Sequence, residues 1–401
     1  APAGRWCSSA VRGHGCCCHA RVFGQSNAGR TQAHREASEN MHALEAIRRR
    51  PGMYIGDIRD GSGLVHMLWE VVANALDEHL AGHCDRIAIE VAEDGAISVE
   101  DNGRGIRLDA VDGVSFAEKA LTSFHTGPTL DGHAPHEHIG TRGVGLFAVC
   151  ALSAWLELQV DRDGQRWRQH FERGLAVSAL QAIGSTETTG TRIVFVPDPE
   201  IFAGKWLNPG PVLARIEEMS YLFPRLTLGF EDRRRHAFNR PDGLASYVRA
   251  SGMFCGKELP AAMFLFASSA ESILVEVAAT WYAFPGRSLA SFANVMRTTD
   301  GGTHVDGLLR GLASGVRMAL PEVCRGRRRE EIERVLESGL NAVVCVRLDD
   351  PEYGRPTKDR LSTPRVTAAI ERCIAEPFAC YLRSEPVLLA RISDGLGSDA
   401  D

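Results

Sequence analysis

The chain has 401 residues, of which 44% are hydrophobic and 24% charged, and its formal net charge is -6. This composition is typical of a globular protein long enough for two or three domains, and the negative charge excludes binding to nucleic acid through overall charge alone. No apolar run approaches the ~18 to 20 residues of a membrane-spanning helix, so we predict a soluble protein with no membrane partner. Eleven cysteines without regular spacing favour reduced thiols and a cytoplasmic location.

Residues 1–36 differ in composition from the rest of the chain. They contain five arginines and no acidic residue before Glu36. We predict a disordered basic tail. The adjacent Cys16, Cys17, Cys18 and His19 lack the paired spacing of a zinc module, which argues against metal binding there.

The next long element is a predicted amphipathic helix over residues 63–82. Its apolar face comprises Val65, Leu68, Trp69, Val72, Leu76 and Leu80. Glu70, Asn74 and Asp77 lie on the other face, and His66 precedes Glu70 by one turn. The helix therefore has a core side and a side that either carries chemistry or is simply solvated.

Two glycine-rich segments follow. Strands with alternating apolar residues are predicted over 87–91 and 97–99, joined by a turn at Asp94-Gly95. The second strand leads to Asp101, whose carboxylate at the strand end can accept hydrogen bonds from a flat ligand. Residues 140–145, GTRGVG, precede an apparent helix, LFAVCALSAWL, and can offer backbone N–H groups to phosphate. Each segment alone is also compatible with an ordinary surface turn or loop.

The remaining predicted elements divide into two groups, with a boundary near residues 233–238. The first group consists of strands near 156–160, 169–171 and 190–197, a helix over 211–222 and a strand over 226–231. The second consists of strands over 262–266, 273–281 and 340–348, helices over 302–320, 329–338 and 364–382, and a loop over 354–360 that carries Lys358.

Six motifs, in this order, resemble the ATPase region of the type IIA DNA topoisomerases, the family of DNA gyrase B and its topoisomerase IV counterpart. They are RRRPGMYIGD, EVVANALDEHLAGHCD, DNGRGI, GTRGVGLFAVCALS, SFANVMRTTDGGTHVDGL and PTKDRLSTPRV. The resemblance implies an α+β chain: a GHKL (Bergerat) ATPase α/β sandwich over residues 37–234 and a ribosomal-S5-like α+β transducer domain over 235–395. Residues 396–401 are expected to be a disordered end.

The resemblance also implies roles in the binding and hydrolysis of ATP with Mg²⁺. Glu70 resembles the general base, His66 its hydrogen-bonded partner, Asn74 the Mg²⁺ ligand, and Asp77 a supporting residue. The other implied nucleotide-binding residues are Asp101 and Thr191 at the adenine, Arg104, Gly105 and Ile106 in the pocket wall, Gly140, Arg142, Gly143, Val144 and Gly145 in the lid, and Lys358 at the γ-phosphate.

The family's partners are implied as well: double-stranded DNA, a gyrase A-like or topoisomerase IV A-like subunit, and a second copy of the chain in a nucleotide-dependent homodimer. Three positions depart from the family pattern, namely Thr129, Arg142 and Pro356, and they make slow ATP turnover plausible. The family's DNA-cleavage domain is not represented, so we expect no DNA cleavage by these residues alone, whether they are a fragment or a self-standing paralogue.

Two alternatives stay open at this stage. The chain could be a nucleotide-binding paralogue with weak or no turnover that acts as a partner or regulatory subunit. It could also share the nucleotide fold with chaperones, mismatch-repair ATPases or histidine kinases, although the GGTH and TKDRL motifs favour the topoisomerases.

Overall fold

The computed structural model of the chain describes residues 27–111, 113–124, 143–252, 259, 261–283, 285–354 and 358–398. Within them the helices are α1 (Asn27–Arg49), α2 (Gly52–Ile55), α3 (Ser62–Leu80), α4 (Phe116–Thr122), α5 (Gly145–Ala151), α6 (Pro199–Phe202), α7 (Pro209–Leu222), α8 (Leu244–Gly252), α9 (Thr303–Ala319), α10 (Arg329–Glu337), α11 (Arg365–Ser384) and α12 (Pro386–Ser398).

The strands are β1 (Arg86–Val91), β2 (Ile97–Asp101), β3 (Ala110–Val111), β4 (Val114–Ser115), β5 (Ser153–Arg162), β6 (Gln165–Glu172), β7 (Leu175–Ala176), β8 (Gln181–Ser185), β9 (Gly190–Pro197), β10 (Thr227–Glu231), β11 (Arg235–Phe238), β12 (Phe264–Ala270), β13 (Ile273–Trp281), β14 (Ser288–Ala293), β15 (Met296–Arg297) and β16 (Leu340–Leu348).

The first unit is a sheet with helices on one face. Its strand order is β11-β10-β1-β2-β9-β5-β6-β7, with β8 on β6. β1 alternates exposed and buried residues, so Ile87 and Ile89 enter the core while Arg86 and Glu90 face outward. α3, α5 and α7 bury their apolar residues in that core. One face of the sheet is therefore packed against these helices. The polar side of α3 lies outside this core, where it can contact a ligand.

The second unit is a five-stranded sheet in the order β12-β13-β16-β14-β15. α9 and α11 pack on one face, where Val275 and Val344 share their cluster. α8 lies against the other face, where Val248 is buried with Val343. Because both faces are covered, β16 is buried along nearly its whole length.

Charged side chains join the two units. Arg297 lies 3.0 Å, Nη1 to Oε1, from Glu218 on α7. Arg347 on β16 donates from Nη2 to the carbonyl oxygen of Leu222 at 2.9 Å, and its guanidinium lies 5.2 Å from the ring centre of Phe223. The end of α7 thus rests directly on the second sheet.

Several local predictions are confirmed. β1 and β2 pair antiparallel with Val91 opposite Ile97, and Gly95 in the turn has a φ of +87°. β13 and β16 match the predicted strands 273–281 and 340–348. The core face of α3 is shifted from the prediction, because Leu64 and Met67 are fully buried. Three residues predicted for that face are only partly buried against the core: Val65, Trp69 and Leu80.

Other predictions need correction. Disorder was expected for residues 1–36 and 396–401, but α1 begins at Asn27 and α12 continues to Ser398. Burial of Ile47 anchors the C-terminal end of α1 in the core, and this packing stabilises the helix that precedes it. Burial of Leu396 anchors the C-terminal end of α12 in the same way. Residues 1–26 and 399–401 lie outside the described residues.

Two boundaries also move. The helix predicted over LFAVCALSAWL ends at Ala151, and β5 begins at Ser153 because the following residues pair with β9. The predicted transducer start at residue 235 falls on β11, which pairs with β10 of the first sheet. The first sheet therefore ends at Phe238, not at residue 234.

Among the described residues, no helix is both long enough and apolar enough to cross a membrane.

Candidate functional site

The polar face of α3 carries a preassembled trio. Nε2 of His66 lies 3.0 Å from Oε1 of Glu70, and Nδ2 of Asn74 donates to the backbone carbonyl of Glu70 at 2.7 Å. Both contacts follow the spacing of four residues along a helix. The arrangement fixes one oxygen of the Glu70 carboxylate and leaves the amide oxygen of the exposed Asn74 side chain available. Asp77, one turn further on, is half-buried.

The start of α5 lies against the Glu70 carboxylate. A Cβ at Gly145 would lie 2.0 Å from Oε2 of Glu70, far inside van der Waals contact. Gly143, with a φ of +57°, and Val144 lead into this turn. The structure thus brings the predicted base and the predicted phosphate-binding segment together. Gly140 and Arg142 lie outside the described residues, as do Thr129 and Pro356.

Asp101 ends β2 in a half-buried position, and the loop that follows it lies beside the same helix. Oδ1 accepts the backbone N–H of Gly103 at 2.8 Å. Burial raises the pKa of the Asp101 carboxyl to about 7, although the Gly103 N–H favours the charged form. Thr191 lies opposite Asp101 on β9, and its Oγ1 accepts the backbone N–H of Ile106 at 3.1 Å. Strand pairing therefore unites Asp101, Thr191 and Ile106.

The backbone around Asp101 requires glycine. Gly190 has a φ of +154°, and a Cβ there would lie 2.1 Å from the carbonyl oxygen of Asp101. Gly105 has a φ of +78° and would place a Cβ 2.8 Å from the carbonyl oxygen of Asp161. Glycine at these two positions therefore allows the segments around Asp101 to approach each other closely.

Glu78 is a site residue that we did not predict. Oε1 of Glu78 lies 2.7 Å from Nη2 of Arg104, and Oε2 accepts both Nε and the backbone N–H of Arg104 at 3.0 Å. Burial acts to raise the pKa of Glu78, but these bonds to Arg104 outweigh it and the pKa is lowered. The pair ties the loop after Asp101 to α3. The spacing of four residues between Asn74 and Glu78, which puts both on one face of α3, is the sequence signal that could have identified Glu78.

Arg162 was also missed. Its Nη1 donates to the carbonyl oxygen of Gly105 at 2.6 Å, across 57 residues of chain. No local pattern indicates this contact, because it depends on how β5 lies beside the loop.

Lys358 is not at this site in the structure. Its exposed side chain places Nζ 5.9 Å from the ring centre of Tyr353, and its φ is +56°. In the described ranges, no hydrogen bond or ion pair joins Lys358 to Glu70 or Asp101. The predicted base and metal ligand thus share one face of α3, the loop after the predicted adenine carboxylate lies beside the same helix, and the predicted lysine lies elsewhere.

The residues present fit a nucleotide with Mg²⁺. Within the part of the chain that the structure describes, no three His, Cys, Asp or Glu residues form a protein-only metal cage. Mg²⁺ in nucleotide sites needs few protein ligands because phosphates and waters complete its shell, and the free amide oxygen of Asn74 is a suitable one. A separate groove of about 590 Å³ is lined in part by Asp101 and Thr191. Glu70 and Asn74 do not line this groove, and two residues that do, Arg86 and Glu100, lie on the outer face of the sheet.

Two family models and several known proteins match this chain. Residues 59–201 match the family described as histidine kinase-, DNA gyrase B-, and HSP90-like ATPase, and residues 243–400 match the family DNA gyrase B. The DNA gyrase B protein of Campylobacter jejuni is 34% identical over 86% of this chain and 46% of its own length. The gyrase B of Thermotoga maritima is 33% identical over 89% of this chain and 58% of its own. The chain thus spans about half the length of these relatives.

A solved structure gives nearly complete coverage. The 43K ATPase domain of Thermus thermophilus gyrase B, in complex with an aminocoumarin, superposes with a TM-score of 0.77 and 30% identity, over 89% of this chain and 94% of that domain. The predicted GHKL ATPase and transducer architecture is confirmed. The chain therefore belongs to the DNA gyrase B family and corresponds to the ATPase region of these type II topoisomerases.

Proposed function

We propose that the chain binds ATP with Mg²⁺ and hydrolyses it to control the association of two copies within a type II topoisomerase. The observation that carries the proposal is the contact between the Glu70 carboxylate and the start of α5, on a helix that also presents His66 and Asn74.

At the adenine end, the ionised Asp101 accepts a hydrogen bond from the exocyclic amino group of the base. Its half-buried position at the end of β2 partly shields the carboxylate from water, and the buried Thr191 on the neighbouring strand completes a polar edge. The Glu78–Arg104 ion pair holds the loop that walls this edge. These residues give affinity for adenine and take no part in the chemistry.

At the phosphate end, Glu70 orients a water molecule and accepts its proton as the water attacks the γ-phosphorus. His66 holds Oε1, so Oε2, on the side of Gly145, is the oxygen that accepts the proton. The backbone N–H groups of the Gly143–Gly145 turn bind phosphate oxygens. Mg²⁺, when bound through Asn74, supplies positive charge at the phosphates, which is the main requirement of phosphoryl transfer. Lys358 supplies the second positive charge by leaving Tyr353 for the γ-phosphate.

We further propose the partners and location of the family. A gyrase A-like or topoisomerase IV A-like subunit would supply DNA cleavage, DNA would pass between two copies of this chain, and the location would be cytoplasmic. The names of the relatives support these partners. The cysteines of the described residues are all free thiols, which fits a reducing compartment.

Steady-state ATP hydrolysis by Glu70→Gln tests the proposal. We expect turnover to fall by about 10² or more while the affinity for Mg²⁺ with a non-hydrolysable ATP analogue is kept. Glu90→Gln, on the exposed face of β1, is the matched control and should behave as wild type. Turnover in Glu70→Gln equal to wild type would reject Glu70 as the base. Nucleotide binding without turnover in the wild type would favour the non-hydrolysing paralogue.

A further inference from the structure

Lys358 lies shortly before the second of two hydrogen-bonded arms of chain in the second unit. Tyr353 and Leu361 form an antiparallel bridge, and the backbone N–H of Gly354 donates to the carbonyl oxygen of Arg360 at 3.0 Å. Ser362 donates from its N–H to the carbonyl oxygen of Glu352 at 2.7 Å. The two arms are thus bonded to each other on both sides of the bridge.

The second arm is also bonded to the start of α9. Leu361 donates its backbone N–H to the carbonyl oxygen of Gly301 at 3.1 Å and accepts that of Thr303 at 3.0 Å. Asp300 donates its backbone N–H to the carbonyl oxygen of Asp359 at 2.9 Å. The residue after Lys358 is therefore bonded through its carbonyl oxygen to the segment that leads into α9.

The backbone of Lys358 itself is in the left-handed region, with a φ of +56°. A residue with a Cβ pays conformational free energy there, and such residues are concentrated at functional sites. The chain contains just four lysines against 41 arginines, and among the described basic residues Lys358 shares this backbone region with Arg173 alone.

Tyr353 lies in the first arm, and its ring faces the ammonium group of Lys358. Its ring is partly buried against the second core, its hydroxyl donates to the carbonyl oxygen of Ala293 at 3.3 Å, and burial raises its pKa to about 12. The ring is therefore neutral and fixed, and its π face lies 5.9 Å from the ammonium of Lys358. This distance is within the range of a cation–π contact.

We propose that Tyr353 is a positioning residue that holds Lys358 in a resting position, from which only a nucleotide with a γ-phosphate withdraws it. The inference rests on the proposed function, in which Lys358 contacts the γ-phosphate. Occupation of the resting position lowers the fraction of molecules whose lysine is available, so the apparent affinity for ATP is lower than the intrinsic one. Tyr353 thereby makes the site discriminate less strongly between ATP and ADP than a freely available Lys358 would.

The test compares the affinities of Tyr353→Leu and wild type for Mg²⁺ with either a non-hydrolysable ATP analogue or ADP, by calorimetry on the full chain. An exposed cation–π contact corresponds to about a two- to fivefold change in affinity. We expect Tyr353→Leu to bind the ATP analogue tighter by that factor and ADP as wild type does. Tyr353→Phe, which keeps the ring and loses the hydroxyl, is the matched control and should behave as wild type.

Combination with Lys358→Ala separates this inference from the proposed function. Lys358→Ala alone should weaken binding of the ATP analogue, and in that background Tyr353→Leu should have no further effect. An equal effect of Tyr353→Leu on both nucleotides, or its persistence without the lysine, would show a structural role and overturn the inference. The inference would also be overturned if Tyr353→Leu bound the ATP analogue with unchanged affinity while Lys358→Ala bound it more weakly. Unchanged binding in Lys358→Ala would reject the proposed role of the lysine and the inference with it.

A second measurement does not depend on the folding of Tyr353→Leu. With four lysines in the chain, ¹³C-methylated lysine side chains give few NMR signals, and Lys358→Ala identifies the one of interest. The ring current of Tyr353 should displace that signal in the nucleotide-free protein. The displacement should disappear with Mg²⁺ and the ATP analogue and remain with ADP. A signal at the position of a free lysine before nucleotide is added would overturn the inference.

Discussion

The two regions that the proposed reaction brings together are built in different ways. The trio on α3 is held by contacts between residues four apart on one helix. The Lys358 loop is held by bonds between segments about 60 residues apart, and its lysine lies on Tyr353. The geometry of a single helix therefore preorganises the proposed base, Glu70. The position of Lys358, in contrast, depends on the packing of the second unit.

The largest effect should come from disturbing the preassembled region. Gly145→Ala would push a methyl group onto the Glu70 carboxylate, since a Cβ there would lie 2.0 Å from Oε2. We expect ATP turnover to fall by about 10² or more, because general-base catalysis depends on that position. Gly184→Ala on β8, where a Cβ meets nothing within 4 Å, is the control. Full activity in Gly145→Ala would mean that Glu70 is not confined by α5.

The Lys358 region should respond to acid through His304, which starts α9 beside the loop. His304 is fully buried, and its Nε2 lies 2.9 Å from Oγ1 of Thr298. Ser291 donates to the carbonyl oxygen of Thr298, so the Thr298 hydroxyl donates to Ser291 and accepts from Nε2–H of His304. Nδ1 is then the unprotonated nitrogen. Burial lowers the pKa of His304 to about 4 from 6.5.

Because the unfolded chain binds this proton more readily, the stability from a neutral His304 is complete above about pH 6.5 and is lost as the pH falls towards 4. We expect a loss of about 3 kcal/mol in the free energy of unfolding over that window. Chemical denaturation of wild type and His304→Gln at several pH values measures it. Equal pH dependence in the two proteins would contradict the assignment.

The bonds between the Lys358 loop and α9 should break in Gly302→Ala. Gly302 has a φ of +133°, and a Cβ would lie 2.1 Å from the carbonyl oxygen of Leu361. We expect a loss of roughly 2 to 3 kcal/mol in the free energy of unfolding and weaker binding of the ATP analogue. Gly326→Ala, also at positive φ but in open space, should lose about 1 kcal/mol through backbone strain alone. Identical melting temperatures for the two variants would remove the steric argument.

The smallest effect concerns the adenine end and sharpens the comparison. The pKa of Asp101 is about 7, so acid protonates the group that must accept the adenine hydrogen bond. We expect the affinity for Mg²⁺-ADP to fall about tenfold between about pH 8 and pH 6. Asp101→Asn, which keeps an acceptor oxygen and cannot ionise, should bind more weakly and show no such change. A pH dependence retained in Asp101→Asn would assign it to another group.

Much of the first unit could be predicted from the sequence because its signals are local. The spacing of His66, Glu70 and Asn74 places them on one helical turn after another, and alternation with Asp94-Gly95 specifies the β1–β2 hairpin. The order of six motifs was enough for the family and for the two-unit architecture.

The tertiary structure alone decided the contacts that join distant segments. The bond from Arg162 to Gly105 and the contact of Lys358 with Tyr353 have no signature in composition or periodicity, and the addition of β11 to the first sheet depends on its pairing with β10. The sequence determined which residues share a helix face or a turn, because those relations follow from backbone geometry over a few residues. Which side chains meet across sheets and loops depends on the packing of the whole chain, and for that reason the sequence indicated Lys358 as a site residue but not its resting position on Tyr353.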